Sequence, residues 1–146
     1  MLRRFLLIFL CGLFTAYCGG EKSEEKAKIE KMGNLTFYRQ VKPAMTQARA
    51  ENKPVFIDFY AHWCVNCKLF NKLAVKKGAL NTALQKATLL KVYDTDAVFK
   101  DFRAKPDFKE LKIGLPLFVI LNPDGSLRWK TTDYKDSAGM IRNLSK

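Results

Sequence analysis

The chain has 146 residues, of which 48% are hydrophobic and 27% charged, and its formal net charge is +12 at pH 7. Its length is enough for one hydrophobic core, and we expect no second domain within it. The positive charge would suit binding to an anionic partner, either a nucleic acid or a membrane surface. The lysines are scattered, however, and they form neither a compact basic run nor a basic surface with aromatic residues between the charges. We therefore expect no nucleic-acid binding, and a basic surface near anionic lipid explains the charge better.

Residues 1–18 predict a targeting segment. Arg3 and Arg4 give a positively charged start, and residues 5–14 form an apolar run. A helix that continued to Cys18 would be about 21 Å long, short of the roughly 30 Å hydrocarbon core of a membrane. A signal peptide is therefore favoured over a membrane-spanning anchor, and the protein is expected in the periplasm or cell envelope.

Residues 15–20, T-A-Y-C-G-G, resemble the lipoprotein box of exported bacterial proteins. This likeness implies that Cys18 is lipidated and attaches the N-terminus of the protein to a membrane. Tyr17 stands where a small residue is usual, so a cleaved product released into the periplasm is the alternative. Residues 19–34 are charged and predict a solvated tether, which leads to a domain over residues 35–146.

That domain predicts strands alternating with helices, followed by a hairpin and a last helix. Strands are expected at residues 35–41, 55–60, 88–93, 117–121 and 127–131. Helices are expected near residues 43–52, from Cys64 towards Gly78, and at 80–86, 97–103, 107–112 and 137–144. This order is typical of a single α/β sandwich.

The stretch W-C-V-N-C-K, residues 63–68, carries most of the functional information. Its two cysteines are three positions apart, so in a helix that begins at Cys64 both sulfur atoms lie on one face of the first turn, close enough to form a disulfide. The helix N-terminus stabilises a thiolate, which makes Cys64 the predicted nucleophile. Cys67 is the predicted resolving thiol, which attacks a mixed disulfide and releases the partner.

Other uses of the two cysteines are less well supported. A structural zinc site needs four ligands, and His62 is the only histidine, so we expect no metal and no other cofactor. Covalent haem attachment needs a histidine directly after the second cysteine, where Lys68 stands. A purely structural disulfide is the remaining alternative, but it would not explain the strand before the pair and the helix after it. His62 and Lys68 are expected to modulate the pKa of the Cys64 thiol.

Asp58 lies in the strand predicted at residues 55–60, six positions before the first cysteine of the pair. One interpretation is an acid on a solvent-exposed strand face. Phe56 and Tyr60 share that face, however, which favours a covered face and a buried carboxyl group with a raised pKa. Asp58 is then the predicted proton acceptor for Cys67.

Residues 56–68, F-I-D-F-Y-A-H-W-C-V-N-C-K, resemble the active-site segment of thioredoxin-fold proteins. The chain is most similar to the C-terminal periplasmic domain of the thiol:disulfide interchange protein DsbD, in which Y-A-x-W-C-V-x-C-K is followed by G-L-P. The resemblance implies a thioredoxin-like three-layer sandwich with a central mixed sheet flanked by helices. It also implies that Trp63, Leu115 and Pro116 contact the substrate and that Pro116 is a cis-proline beside the cysteines. A simple strand start is the alternative for Pro116.

We therefore expect an exported thiol:disulfide oxidoreductase that reduces protein disulfides in the periplasm through a Cys64/Cys67 dithiol–disulfide cycle. The expected partners are protein thiols and disulfides of the cell envelope and an unidentified membrane electron donor, and the protein is expected to be a monomer. One alternative is a reductase for apocytochrome c maturation. The other is a noncatalytic peptide-binding module on the same fold.

Overall fold

The computed structural model describes residues 27–146. The signal peptide predicted over residues 1–18, the lipidation predicted at Cys18 and the first part of the predicted tether lie outside the described residues. They therefore stay predictions. No helix within residues 27–146 is long and apolar enough to cross a membrane.

Strands and helices alternate along the described part of the chain. The strands are β1 (Ile29–Met32), β2 (Leu35–Tyr38), β3 (Val55–Tyr60), β4 (Thr88–Tyr93), β5 (Leu117–Leu121) and β6 (Leu127–Thr131). The helices are α1 (Val41–Glu51), α2 (Val65–Ala74), α3 (Ala79–Gln85), α4 (Ala97–Ala104) and α5 (Ser137–Leu144), with a 3₁₀ helix at Pro106–Lys112 between α4 and β5. The bounds predicted for β3, β4, β5, β6 and α5 are confirmed.

The helices other than α2 and α5 differ from their predicted bounds by one or two residues, and the largest differences are at the ends of β2 and α2. β2 ends at Tyr38 rather than at Val41, because α1 begins at Val41. Pro43 lies in the first turn of α1, where its missing N–H costs no hydrogen bond. α2 ends at Ala74, before the predicted stop at Gly78, which instead directly precedes α3.

The strands form one mixed six-stranded sheet in the order β1-β2-β4-β3-β5-β6. β3 lies inside it, parallel to β4 from Val55↔Thr88 to Tyr60↔Tyr93 and antiparallel to β5. Because β3 is paired on both edges, the segment that follows Tyr60 leaves the sheet at a fixed position. That segment carries the two cysteines.

Helices cover both faces of the sheet. Val55, Ile57 and Phe59 of β3 pack with residues of α1, α4 and the 3₁₀ helix. Phe56, on the opposite face, packs with residues of α2, α3 and α5. All six residues of β3 are buried, as the continuous apolar run requires. The predicted three-layer α/β sandwich with a central mixed sheet is confirmed.

β1 lies within residues 19–34, for which the sequence predicts a solvated tether. It pairs antiparallel with β2 from Ile29↔Tyr38 to Met32↔Leu35, and Gly33 makes the turn at φ 59°, a left-handed conformation that glycine adopts without strain. The ordered sheet therefore begins before Leu35, and residues 29–34 are not a tether. A charged segment can form such an edge strand because the pairing is made by the backbone.

Candidate active site

The two cysteines lie at the junction of β3 and α2 and form a disulfide. Cys64 is the residue that precedes the first turn of α2, and its Sγ accepts a hydrogen bond from the Cys67 N–H at 3.1 Å. A tight turn places it there, because the Cys64 N–H donates to the Ala61 carbonyl at 3.1 Å. The sequence prediction of a disulfide at a strand-to-helix junction is therefore confirmed.

The two sulfur-bearing residues differ in their access to solvent. Cys64 is 4% exposed and Cys67 is fully buried. An incoming thiol or disulfide therefore meets Cys64 first. The position of Cys64 at the helix N-terminus also gives it the backbone N–H groups that stabilise a thiolate.

Exposed side chains surround the disulfide. Trp63 is 66% exposed, and its Nε1 donates to Asp94 Oδ2 at 2.8 Å, which fixes the orientation of the indole. The His62 ring lies 5.0 Å from the Tyr93 ring, centroid to centroid, and Lys68 is exposed on α2. Within residues 27–146, no hydrogen bond or ion pair joins the side chain of His62 or Lys68 to Cys64.

The loop before β5 also contacts the cysteine cluster. The Leu115–Pro116 peptide bond is cis, as the resemblance implied, and Pro116 is buried. Leu115 is half-buried and packs against the cluster that contains Cys64 and Cys67. Of the three predicted contact residues, Leu115 therefore lies against the cysteines, Pro116 follows it in the chain, and Trp63 directly precedes Cys64.

Asp58 is completely buried, so the interpretation of a solvent-exposed strand face is wrong. Its Oδ2 lies 3.3 Å from the ammonium nitrogen of Lys91, which is itself only 1% exposed. Neither carboxylate oxygen of Asp58 has a partner in hydrogen-bond geometry among the described residues. Burial raises the pKa of Asp58 from 3.8 to about 6, although the Lys91 ammonium opposes this change.

Lys91 also contacts a second acid, on β1. Its Nζ lies 3.7 Å from Glu30 Oε1, and it donates to Asn71 Oδ1 at 3.3 Å. The ammonium therefore lies between a fully buried carboxyl group and one whose side chain is 29% exposed. We call Asp58, Lys91 and Glu30 the acid–lysine–acid cluster.

Further contacts hold Glu30 in this cluster. Its Oε2 is 3.1 Å from Arg39 Nη1, and its Oε1 accepts a hydrogen bond from the Tyr93 hydroxyl at 3.0 Å. Arg39 also pairs with Asp96 at 2.8 Å and lies 4.0 Å over the Tyr93 ring. Burial, and then the Glu30 carboxylate, raise the pKa of Tyr93, so its hydroxyl stays a donor.

Sequence reasoning missed Lys91, Glu30 and Asp94. Lys91 had a signal, because it interrupts the apolar strand T-L-L-K-V-Y as Asp58 interrupts β3, and the register places the two directly opposite each other. No sequence signal pointed to Glu30, since it lies in a charged stretch whose pairing with β2 is not visible in the sequence. Within residues 27–146, no group of three or more His, Cys, Asp or Glu side chains could hold a metal ion.

Comparison with known proteins defines the class. A family model described as thioredoxin-like matches residues 36–123, more than half of the chain. The chain belongs to the thioredoxin-like family, and with its Cys64–Cys67 disulfide it falls among the disulfide oxidoreductases of that family.

More particularly, the chain is distantly related to the thiol:disulfide interchange protein DsbD, which confirms the resemblance seen in the W-C-V-N-C-K and G-L-P motifs. It is 31% identical over 152 residues to DsbD of Yersinia enterocolitica, covering 97% of this chain and 25% of the relative. It is 30% identical over 122 residues to DsbD of Klebsiella pneumoniae, covering 80% and 20%. The chain thus spans a fifth to a quarter of the length of these relatives.

Solved structures show the same fold. A disulphide isomerase from Xylella fastidiosa aligns with a TM-score of 0.57 at 22% identity, covering 73% of this chain and 86% of that one. A poplar thioredoxin h aligns with a TM-score of 0.53 at 22% identity, covering 71% and 85%.

Proposed function

We propose that this protein is an exported, membrane-attached protein-disulfide reductase of the cell envelope. One observation carries the proposal: Cys64, 4% exposed at the start of α2, is bonded to a fully buried Cys67, beside Trp63 and the Leu115–Pro116 loop. The relationship to DsbD supports exchange with protein partners. The N-terminal sequence pattern supports export and attachment through Cys18.

The reaction transfers two electrons from the dithiol to a substrate disulfide. The Cys64 thiolate attacks one sulfur atom of the substrate disulfide, forming a mixed disulfide and releasing the first substrate thiolate. Cys67 then loses its proton and attacks Cys64 Sγ, which breaks the mixed disulfide and releases the second substrate thiolate. The products are a substrate dithiol and the Cys64–Cys67 disulfide, which a second dithiol protein reduces again.

Asp58 serves the second step as the proton acceptor for Cys67. A thiol in a fully buried position cannot pass its proton directly to water, and a carboxylate with a raised pKa is a stronger base than an ordinary one. Asp58 lies on the same face of β3 as Tyr60, which packs in the cluster with both cysteines. Lys91, 3.3 Å away, stabilises the ionised carboxylate between turnovers.

The test is reduction of insulin disulfides by the purified protein with a dithiol donor. The wild type should accelerate the reaction and Cys64→Ser should not. Cys67→Ser should form a mixed disulfide at Cys64 that is stable until an external thiol is added, because the resolving thiol is gone. Wild-type protein that binds reduced or oxidised peptides without accelerating insulin reduction would instead identify the noncatalytic binding module. Trapping through Cys67 in the Cys64→Ser variant would reverse the assigned roles.

A further inference from the structure

A groove of about 340 Å³ lies between Trp63, the residue before Cys64, and the residues of α4 and the 3₁₀ helix. Trp63 directly precedes Cys64, Leu115 packs against the cluster that contains both cysteines, and both residues line the groove. Exposed apolar surface continues along the groove, because Ile113 is 89% exposed. A segment of a partner that occupies the groove is therefore held next to Cys64.

The charged side chains of this groove are mostly basic. Lys100 and Arg103 of α4 and Lys112 at the end of the 3₁₀ helix all line it, and all three are exposed. None of them makes an ion pair within residues 27–146. The groove also contains Asp94, but its carboxylate already accepts the Trp63 indole N–H at 2.8 Å. Three unpaired cations thus lie beside an apolar surface.

We propose that this basic groove binds an acidic polypeptide segment of the substrate, next to the disulfide that Cys64 attacks. The inference rests on the proposed function and adds the substrate class. A nucleic acid or a lipid headgroup would satisfy the same charges, but neither carries a disulfide. Trp63 and Leu115 line the groove and also lie close to the Cys64–Cys67 pair. A ligand in the groove is therefore close to Cys64, which favours a polypeptide that carries a disulfide of its own. The apolar Ile113 would contact its uncharged side chains while the three cations pair with its carboxylates.

The experiment measures single turnovers of the pre-reduced protein with three disulfide-bonded peptides of equal length. Their flanking residues are acidic, uncharged or basic. The enzyme dithiol supplies both electrons, so no donor is needed. We expect the second-order rate constant with the acidic peptide to exceed that with the basic one by about tenfold, the size that two or three exposed ion pairs give. Because exposed charges are screened, 0.5 M salt should remove most of this preference.

Two variants with the same change in net charge separate the groove from the overall charge of the protein. In Lys100→Glu/Lys112→Glu, the ratio of the rate constant with the acidic peptide to that with the basic peptide should fall to about one or below one. Lys77→Glu/Lys86→Glu places the same charges near α3, on the other face of the sheet, and should keep the wild-type preference. An equal loss in both double variants would mean that net charge alone attracts the peptide, and the proposed site would be wrong.

The remaining outcomes distinguish this inference from the proposed function. If the wild type reduces all three peptides at the same rate, the function stands and the acidic binding site is wrong. If it reduces none of them, the function fails and the inference with it. If Lys100→Glu/Lys112→Glu instead keeps the peptide preference and loses binding to phosphatidylglycerol vesicles, the groove is a membrane-binding surface and the proposal is overturned.

Discussion

Replacement of Asp58 by asparagine should change how the stability of the protein depends on pH. The carboxyl group has a pKa of about 6 in the folded protein and about 3.8 in the unfolded chain. Because the folded pKa is raised, ionisation of Asp58 costs stability: the cost is absent below pH 3.8, grows between the two values and is constant above the folded pKa. At about 1.4 kcal/mol per pH unit, the cost reaches about 3 kcal/mol.

The measurement is the free energy of unfolding of the oxidised protein in urea, at intervals from pH 3 to pH 7.5. From low to high pH, Asp58→Asn should gain about 3 kcal/mol of stability relative to the wild type. Loss of the contact with Lys91 adds a cost of its own to the variant, so the test is the slope of the difference and not its absolute value.

Asp101→Asn is the matched control, because Asp101 is exposed and makes no ion pair among the described residues. This variant should follow the wild type across the whole pH range. A difference between Asp58→Asn and the wild type that does not vary between pH 4 and pH 7 would refute the argument. It would mean that Asp58 is solvated in the folded protein and titrates as it does in the unfolded chain.

Three further predictions test other parts of the site. Asp58→Asn should slow release of the mixed disulfide near neutral pH. The rate should recover in part at higher pH, where hydroxide accepts the Cys67 proton in place of the carboxylate. Release rates equal to those of the wild type at every pH would remove Asp58 from the mechanism. Glu30→Gln should lower the pKa of Asp58, measured by carboxyl-carbon NMR, because it removes a negative charge that adds to the effect of burial; an unchanged titration would uncouple the two acids. Cys18→Ala should release the protein from membranes, and a wild type already found in the soluble fraction would rule out lipidation.

The sequence predicted the central sheet because its strands are runs of apolar residues bounded by turns. β3, β4 and β5 each have only buried residues, so nearly all of their side chains are apolar and the ends of the apolar runs mark the strand boundaries. The disulfide was equally visible, since the spacing of Cys64 and Cys67 and the strand before them are local features. The burial of Asp58 could also be predicted, because Phe56 and Tyr60 share its face of the strand, whereas its role as a proton acceptor stays a prediction.

The partners of Asp58 could not be predicted in the same way, because they depend on pairing between distant segments. Lys91 is opposite Asp58 only through the parallel register of β3 and β4. Glu30 reaches Lys91 only because β1 folds back on β2, and β1 has no apolar pattern: Ile29 is 53% exposed and its strand alternates between exposed and half-buried residues. Backbone pairing at a sheet edge leaves little trace in the side-chain sequence.

Glu30 gives Lys91 a second partner, and this affects what Asp58 can do. A buried ammonium paired with one carboxylate would be left without a counter-charge whenever that carboxylate accepted a proton, a state that costs several kcal/mol. Here Lys91 still has Glu30 at 3.7 Å and the Asn71 amide oxygen at 3.3 Å. Glu30 in turn is paired with Arg39, so it is held in place without Lys91. We infer that this arrangement lowers the cost of protonating Asp58, which is the change of charge that a proton acceptor for Cys67 must undergo in each turnover.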